Sequence, residues 1–101
     1  IFPLAKGHVL VIPKEEIDSI FDLEEEQYKA LWAFAKKIAK AIEKSISCER
    51  VGVAVIGLEV PHAHIHLIPL DSVEDINFSK PKLKLISSEF KEITKSIRTK
   101  L

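Results

Sequence analysis

The stretch VPHAHIHLIPL, residues 60–70, alternates histidine with an apolar residue from His62 to Leu67. Successive side chains of a strand point to opposite faces. The pattern therefore predicts a strand with His62, His64 and His66 on one side and Ala63, Ile65 and Leu67 on the other. The three histidine Cα atoms would span about 13 Å. The apolar side needs a covering layer, and the imidazole side does not belong in a core. This constrains the fold more than any other feature of the chain.

The rest of the sequence supplies the cover. HVLVIP (8–13) is rich in β-formers and nearly all apolar, and Pro13 stops it, so it reads as a buried strand. KEEIDSIFD is a connector. Asp22 with Glu25 makes a capping box, and a helix is predicted from about Leu23 to about Ser45. Leu31, Phe34, Ala35, Ile38, Ala41 and Ile42 recur at helical spacing as one apolar stripe. Lys36, Lys37, Lys40 and Lys44 form its solvated face and favour its C-terminal half. RVGVAVIG (50–57) is a second strand, ended by Gly57 and apolar enough to need cover on both faces. EVPHAHIHLIP is a third, ending at Pro69, and the short Gly57–Pro61 link predicts a hairpin between the two. Residues 71–86 read as a loop with a short extended piece at 82–86. Ser87 caps a final helix whose stripe is Phe90, Ile93 and Ile97. The order predicts an α+β fold with an antiparallel sheet packed against one long helix.

At 101 residues the chain holds one domain. Its 47% hydrophobic content and mean hydropathy of +0.10 fit a folded soluble protein. Fifteen Lys and Arg balance fifteen Asp and Glu. Such a chain has no general attraction for duplex nucleic acid or an acidic membrane, and any anion must be held by a local site. A single cysteine, Cys48, excludes an internal disulfide and a cysteine zinc cage and fits a reducing compartment such as the cytoplasm. No spanning or targeting segment is visible. The chain has no Met and opens abruptly on IFPLAKG, so its natural beginning is expected to lie upstream.

Three of the chain's four histidines in five positions admit three readings. They are a solvated polar face; a metal site, since alternating histidines on a strand can chelate zinc; or covalent catalysis at phosphorus. A neutral imidazole is a good nucleophile near pH 7. A neighbouring protonated imidazole can stabilise phosphoryl oxygens and protonate a leaving group.

HAHIHLI resembles the His-φ-His-φ-His-φ-φ signature of the histidine-triad family of nucleotide hydrolases and transferases, and GHVLVIPK (7–14) resembles that family's upstream strand. The long helix lies between them, as in the family. The resemblance covers residues 1–70 and implies a histidine-triad-like half-barrel with a C-terminal helix: one domain over 1–101, with 71–101 a variable extension. It implies that His64 is the nucleophile, attacking the α-phosphorus of a nucleotide to give a nucleotidyl-histidine that water resolves. His66 would contact phosphate oxygens and assist departure of the leaving group. His62 would orient the site, its carbonyl fixing the tautomer of His64, and His8 would be the fourth histidine beside the triad. The implied substrate is a purine nucleotide, as a nucleoside phosphoramidate or dinucleoside polyphosphate, with no cofactor and no metal. The family also implies a homodimer formed through the long helix and strand 50–57.

The chain departs from the family in places. Val51 and Leu58 stand, if no gap intervenes, where family members carry amides. Glu59 stands where a Ser or Thr is usual, and its carboxylate would repel phosphate or favour an amine-bearing leaving group. Part of the nucleoside pocket, with its ribose-binding Asp, would lie ahead of residue 1, leaving Ile1 and Phe2 as the remnant of the wall. A nucleotide-binding or protein-interaction module without turnover is the alternative from another class.

Overall fold

The computed structural model describes residues 4, 6–58, 62–77 and 87–101, apart from the side chains of Ser87 and Phe90. The elements run β1 (Val9–Val11), a 3-10 turn (Ile20–Asp22), α1 (Glu25–Ser45), β2 (Arg50–Ala54), β3 (Ile65–Leu70), a second 3-10 turn (Val73–Ile76) and α2 (Ser87–Thr99). The strands form one antiparallel sheet in the order β1-β3-β2. The expected α+β architecture, an antiparallel sheet on one long helix, is what the chain adopts.

β3 is the central strand because it alone offers pairing residues to both neighbours. Val9, Leu10 and Val11 lie opposite Leu67, His66 and Ile65 on one side. Arg50 to Ala54 lie opposite Leu70 to His66 on the other. Ile65 and Leu67, 0% and 1% exposed, join Val11 and the α1 residues Leu31, Ala35, Ile38 and Ile42 in one core. Full burial of each such side chain is worth about 1.5–3 kcal/mol. α2 adds Ile97 and Ile93 to this core. The Ser45 hydroxyl donates to the Ser96 carbonyl at 3.0 Å and fixes α2 against the end of α1.

Several sequence expectations are corrected. The capping box at Asp22 does not start the helix: Glu24 is the N-cap, without a side-chain cap bond. Residues 20–22 instead make a 3-10 turn, because burying both Ile20 (3% exposed) and Leu23 (8%) requires the chain to bend before the helix begins. Phe34, at the edge of the stripe, is 52% exposed. β2 and β3 are antiparallel neighbours as expected, but β2 ends at Ala54 and β3 begins at Ile65, so the link between them is longer than 57–61. The turn at 73–76 interrupts the expected loop. The extended piece at 82–86 and the side chain of Phe90 lie outside the described residues.

The face of β3 opposite α1 is not wholly polar either. Beyond His66 it carries Ile68, 0% exposed. Gly52 lies opposite Ile68, and a Cβ there would run into the Leu70 side chain, with Ile76 of the second 3-10 turn 3.6 Å away. Gly7 has φ +88°, and a Cβ on it would sit 2.8 Å from Ile46. Glycine there lets the chain turn tightly into His8 and β1.

Candidate active site

Only one of the three alternating histidines, His66, lies within β3. Residues 62–64 leave the ladder for the connector between β1 and the first 3-10 turn. His62 Nε2–H donates to the Pro13 carbonyl at 3.1 Å, and the Ala63 N–H donates to the Ile17 carbonyl at 2.7 Å. The expected row of three imidazoles along one strand face is therefore changed. Rings 64 and 66 meet edge to face with centroids 4.7 Å apart. The third member is His8, whose ring lies 5.2 Å from that of His66. His62 turns its ring to Pro13 and contributes its backbone to the site.

The hydrogen bonds assign the tautomers. A carbonyl only accepts, so the 2.7 Å contact between His64 Nδ1 and the His62 carbonyl places the proton on Nδ1. The lone pair of neutral His64 is then on Nε2. A backbone N–H only donates, so Leu4 N–H at 3.0 Å makes His8 Nδ1 an acceptor. Neutral His8 then carries its proton on Nε2 and donates it to His66 Nδ1 at 2.9 Å. The His66 proton is consequently on Nε2.

Burial, with His64 and His8 beside it, lowers the His66 pKa to about 4. The ring is neutral at pH 7 in the unliganded site. A proton on its Nδ1 would also face the proton on His8 Nε2, which acts in the same direction. The protonated neighbour expected from sequence is not His66 in this state; His66 presents a neutral N–H donor.

His64 is 9% exposed and lines a cleft of about 260 Å³. Residues 18–21, residues 55–57 and Ala63 line it with His64. In the sequence 14–22 reads as a connector, which leaves Asp18 and Phe21 unassigned to the site. The available signal was an acidic run interrupted by an aromatic. The ladder also places Ala54 and Leu10 opposite His66, whereas Val51 lies opposite Pro69, away from the histidines. Leu58 is 88% exposed and does not line the cleft. Ile1, Phe2 and Glu59 lie outside the described residues. Among the described residues, no group of three or more His, Cys, Asp or Glu is arranged to hold a metal ion. No helix among the described residues is long and apolar enough to cross a membrane.

The geometry agrees with comparisons to known proteins. The chain is 35% identical over 72 residues to a bis(5′-adenosyl)-triphosphatase of Dictyostelium discoideum, covering 66% of this chain and 48% of that protein. It is 29% identical to an adenosine 5′-monophosphoramidase of Schizosaccharomyces pombe, covering 100% of this chain and 77% of that protein. The chain thus spans about half the length of the first relative. A crystal structure of a HIT-like protein involved in cell-cycle regulation from Bartonella henselae superposes with a TM-score of 0.83 at 28% identity, covering 100% of this chain and 76% of that one. Relatives named as hydrolases thus include a dinucleoside triphosphatase and a phosphoramidase. With residues 1–73 matching the HIT domain model, the ordered histidines His8, His62, His64 and His66 sit in a chain that belongs to the HIT domain family.

Proposed function

We propose that this chain is a nucleotide hydrolase that cleaves a nucleoside phosphoramidate or a dinucleoside polyphosphate at the α-phosphorus through a nucleotidyl-histidine. The observation that carries the reading is the His64 tautomer. With Nδ1–H held by the His62 carbonyl, the basic lone pair is on Nε2 of a ring that lines the cleft. A fixed, desolvated nucleophile needs no reorientation when substrate arrives.

In the first step His64 Nε2 bonds to phosphorus and the bond to the leaving group breaks. The electron pair goes to the leaving atom, which takes up a proton from solvent. In the second step water bonds to phosphorus, its proton is released and neutral His64 is regenerated. His66 donates its Nε2–H to a phosphoryl oxygen, with His8 holding it in that tautomer. His62 holds the carbonyl that orients His64. Charge stabilisation comes from N–H donors rather than from a bound ion. The chain acts as a homodimer in the cytoplasm; exposed Phe34 on α1 and Val53 on β2, 52% and 47% exposed, fit a surface covered by a second copy.

The test uses the full-length protein with adenylyl phosphoramidate. A covalent adenylyl adduct should appear in rapidly quenched wild type and map to His64. His64→Ala should lower turnover by at least about a thousandfold while retaining the fold. Normal hydrolysis by that variant would remove the nucleophile assignment. Apolar Ala54 and Leu10 beside His66 favour a second reading, a nucleotide binder without turnover. Binding of the nucleotide with no adduct at any time would select it.

A further inference from the structure

The cleft beside His64 carries an unusual charge. Among the described residues that line it, Asp18 and His64 alone are titratable and none is a lysine or arginine. Asp18 is exposed and makes no ion pair with a described residue; the ion pairs, Lys6–Glu89 and Lys40–Glu43, are elsewhere. Asp18 also lies within a strongly acidic segment. Seven of the twelve residues from Glu15 to Glu26 are acidic and none is basic, although the whole chain is neutral. All seven are exposed, so their fields add over the roughly 8 Å reach of charge in physiological salt. The same cleft is lined by Phe21, 81% exposed, and Ile56, 47% exposed.

We infer that Asp18 is a specificity-determining residue that receives the leaving part of the substrate and selects an ammonium-bearing group on a short hydrocarbon stem over a polyphosphate. This rests on the reading of His64 as nucleophile. Displacement at phosphorus sends the leaving group away from the attacking nitrogen, so a substrate seated on His64 extends outward through the cleft that this ring lines. A leaving nucleoside polyphosphate would bring several negative charges against Asp18 and the segment around it, with no cation among the described lining residues to receive them. His66, neutral at pH 7 with its pKa depressed to about 4, does not supply one. An alkylammonium meets the opposite situation. The carboxylate pairs with it, the Phe21 ring face attracts a cation, and Ile56 covers the methylenes. The reaction remains the one already written: the phosphorus–nitrogen bond to the amine breaks, the amine takes its electron pair and a proton, and His64 holds the nucleotidyl group until water removes it.

The experiment compares kcat/KM for adenosine 5′-phosphoramidates of three amines of equal stem length, ending in ammonium, methyl or carboxylate, together with diadenosine triphosphate. The full-length protein is used, at low and at high salt. Wild type should prefer the ammonium substrate to the methyl one by about tenfold at low salt and the methyl to the carboxylate by a similar factor, with the triphosphate poorest. The ammonium-to-methyl ratio should fall toward one at high salt. It should also fall toward one in Asp18→Asn and invert in Asp18→Lys, whereas Glu92→Gln on α2 should leave it unchanged. Equal ratios in wild type and Asp18→Asn, or a wild type that prefers the triphosphate, would overturn the assignment of Asp18 while leaving the nucleophile intact. If none of the four substrates is hydrolysed and no adduct forms, the reading of His64 falls, and the assignment of Asp18 falls with it.

Discussion

Residues 62–64 and residues 65–70 are consecutive and begin with the same alternation, yet different forces hold them. From Ile65 to Leu70 every residue sits in a ladder: Ile65 pairs with β1, His66 and Leu67 with both neighbours, and residues 68–70 with β2. Its inward side chains, Ile65 and Leu67, are sealed against α1. Residues 62–64 have no ladder. They are tied down by three discrete hydrogen bonds, from the His62 ring to Pro13, from the Ala63 amide to Ile17, and from the His64 ring to the carbonyl of His62. The first region is held cooperatively by burial, the second bond by bond. The proposed nucleophile, His64, sits in the second. Its orientation is thereby set by groups that contribute little to global stability, and a fault in them should appear in rate before it appears in folding.

The largest expected effect belongs to the burial-held region. Leu67→Ala removes a side chain 1% exposed and should destabilise by about 2–5 kcal/mol. Urea unfolding would read this, while kcat measured well below the unfolding transition should stay within a few-fold of wild type. A large loss of kcat in a fully folded Leu67→Ala sample would break the division. In the bond-held region the balance reverses. His62→Ala should cost only about 1 kcal/mol of stability, but rapid-quench measurement of adduct formation should slow by about 10–100-fold. Unchanged adduct kinetics would show that the Pro13 contact does not orient His64.

The smallest effect is a pH dependence at the boundary, His66. Its folded pKa is about 4 against an ordinary value near 6.5. Between these values the unfolded chain holds a proton that the folded chain refuses. The contribution of this group to stability is therefore complete above about pH 6.5 and is lost as pH falls toward 4. Urea midpoints should fall more steeply between pH 7 and pH 4.5 for wild type than for His66→Gln. Parallel declines would mean that burial in the strand does not depress this histidine.

The long helix was nearly legible in the sequence because its stripe spans many turns, and Leu31, Ala35, Ile38, Ala41 and Ile42 are buried as spacing predicts. Its start was not, because Asp22 and Glu25 satisfy the local rule for a cap, while burial of Ile20 and Leu23 prefers a turn before the helix. The ends of β2 and β3 were missed for a related reason. Alternation at 62–64 is compatible with a strand, but nothing local announces that the His62 ring and the Ala63 amide find Pro13 and Ile17. Placing Val51 at a family amide position assumes that no gap intervenes along the chain; the ladder puts Ala54 opposite His66 and Val51 opposite Pro69.

The order of His8, a long amphipathic helix and an alternating histidine segment was enough to determine the α+β class and the family, and it supplied the residues proposed to carry the chemistry. These depend on residue type and periodicity, which are local. The tertiary structure alone decided that His8 rather than His62 completes the ring cluster, which nitrogen of each histidine holds its proton, and that an acidic turn walls the nucleophile's cleft. Those outcomes depend on which donor meets which acceptor across distant segments, and such pairings arise only when the chain closes on itself.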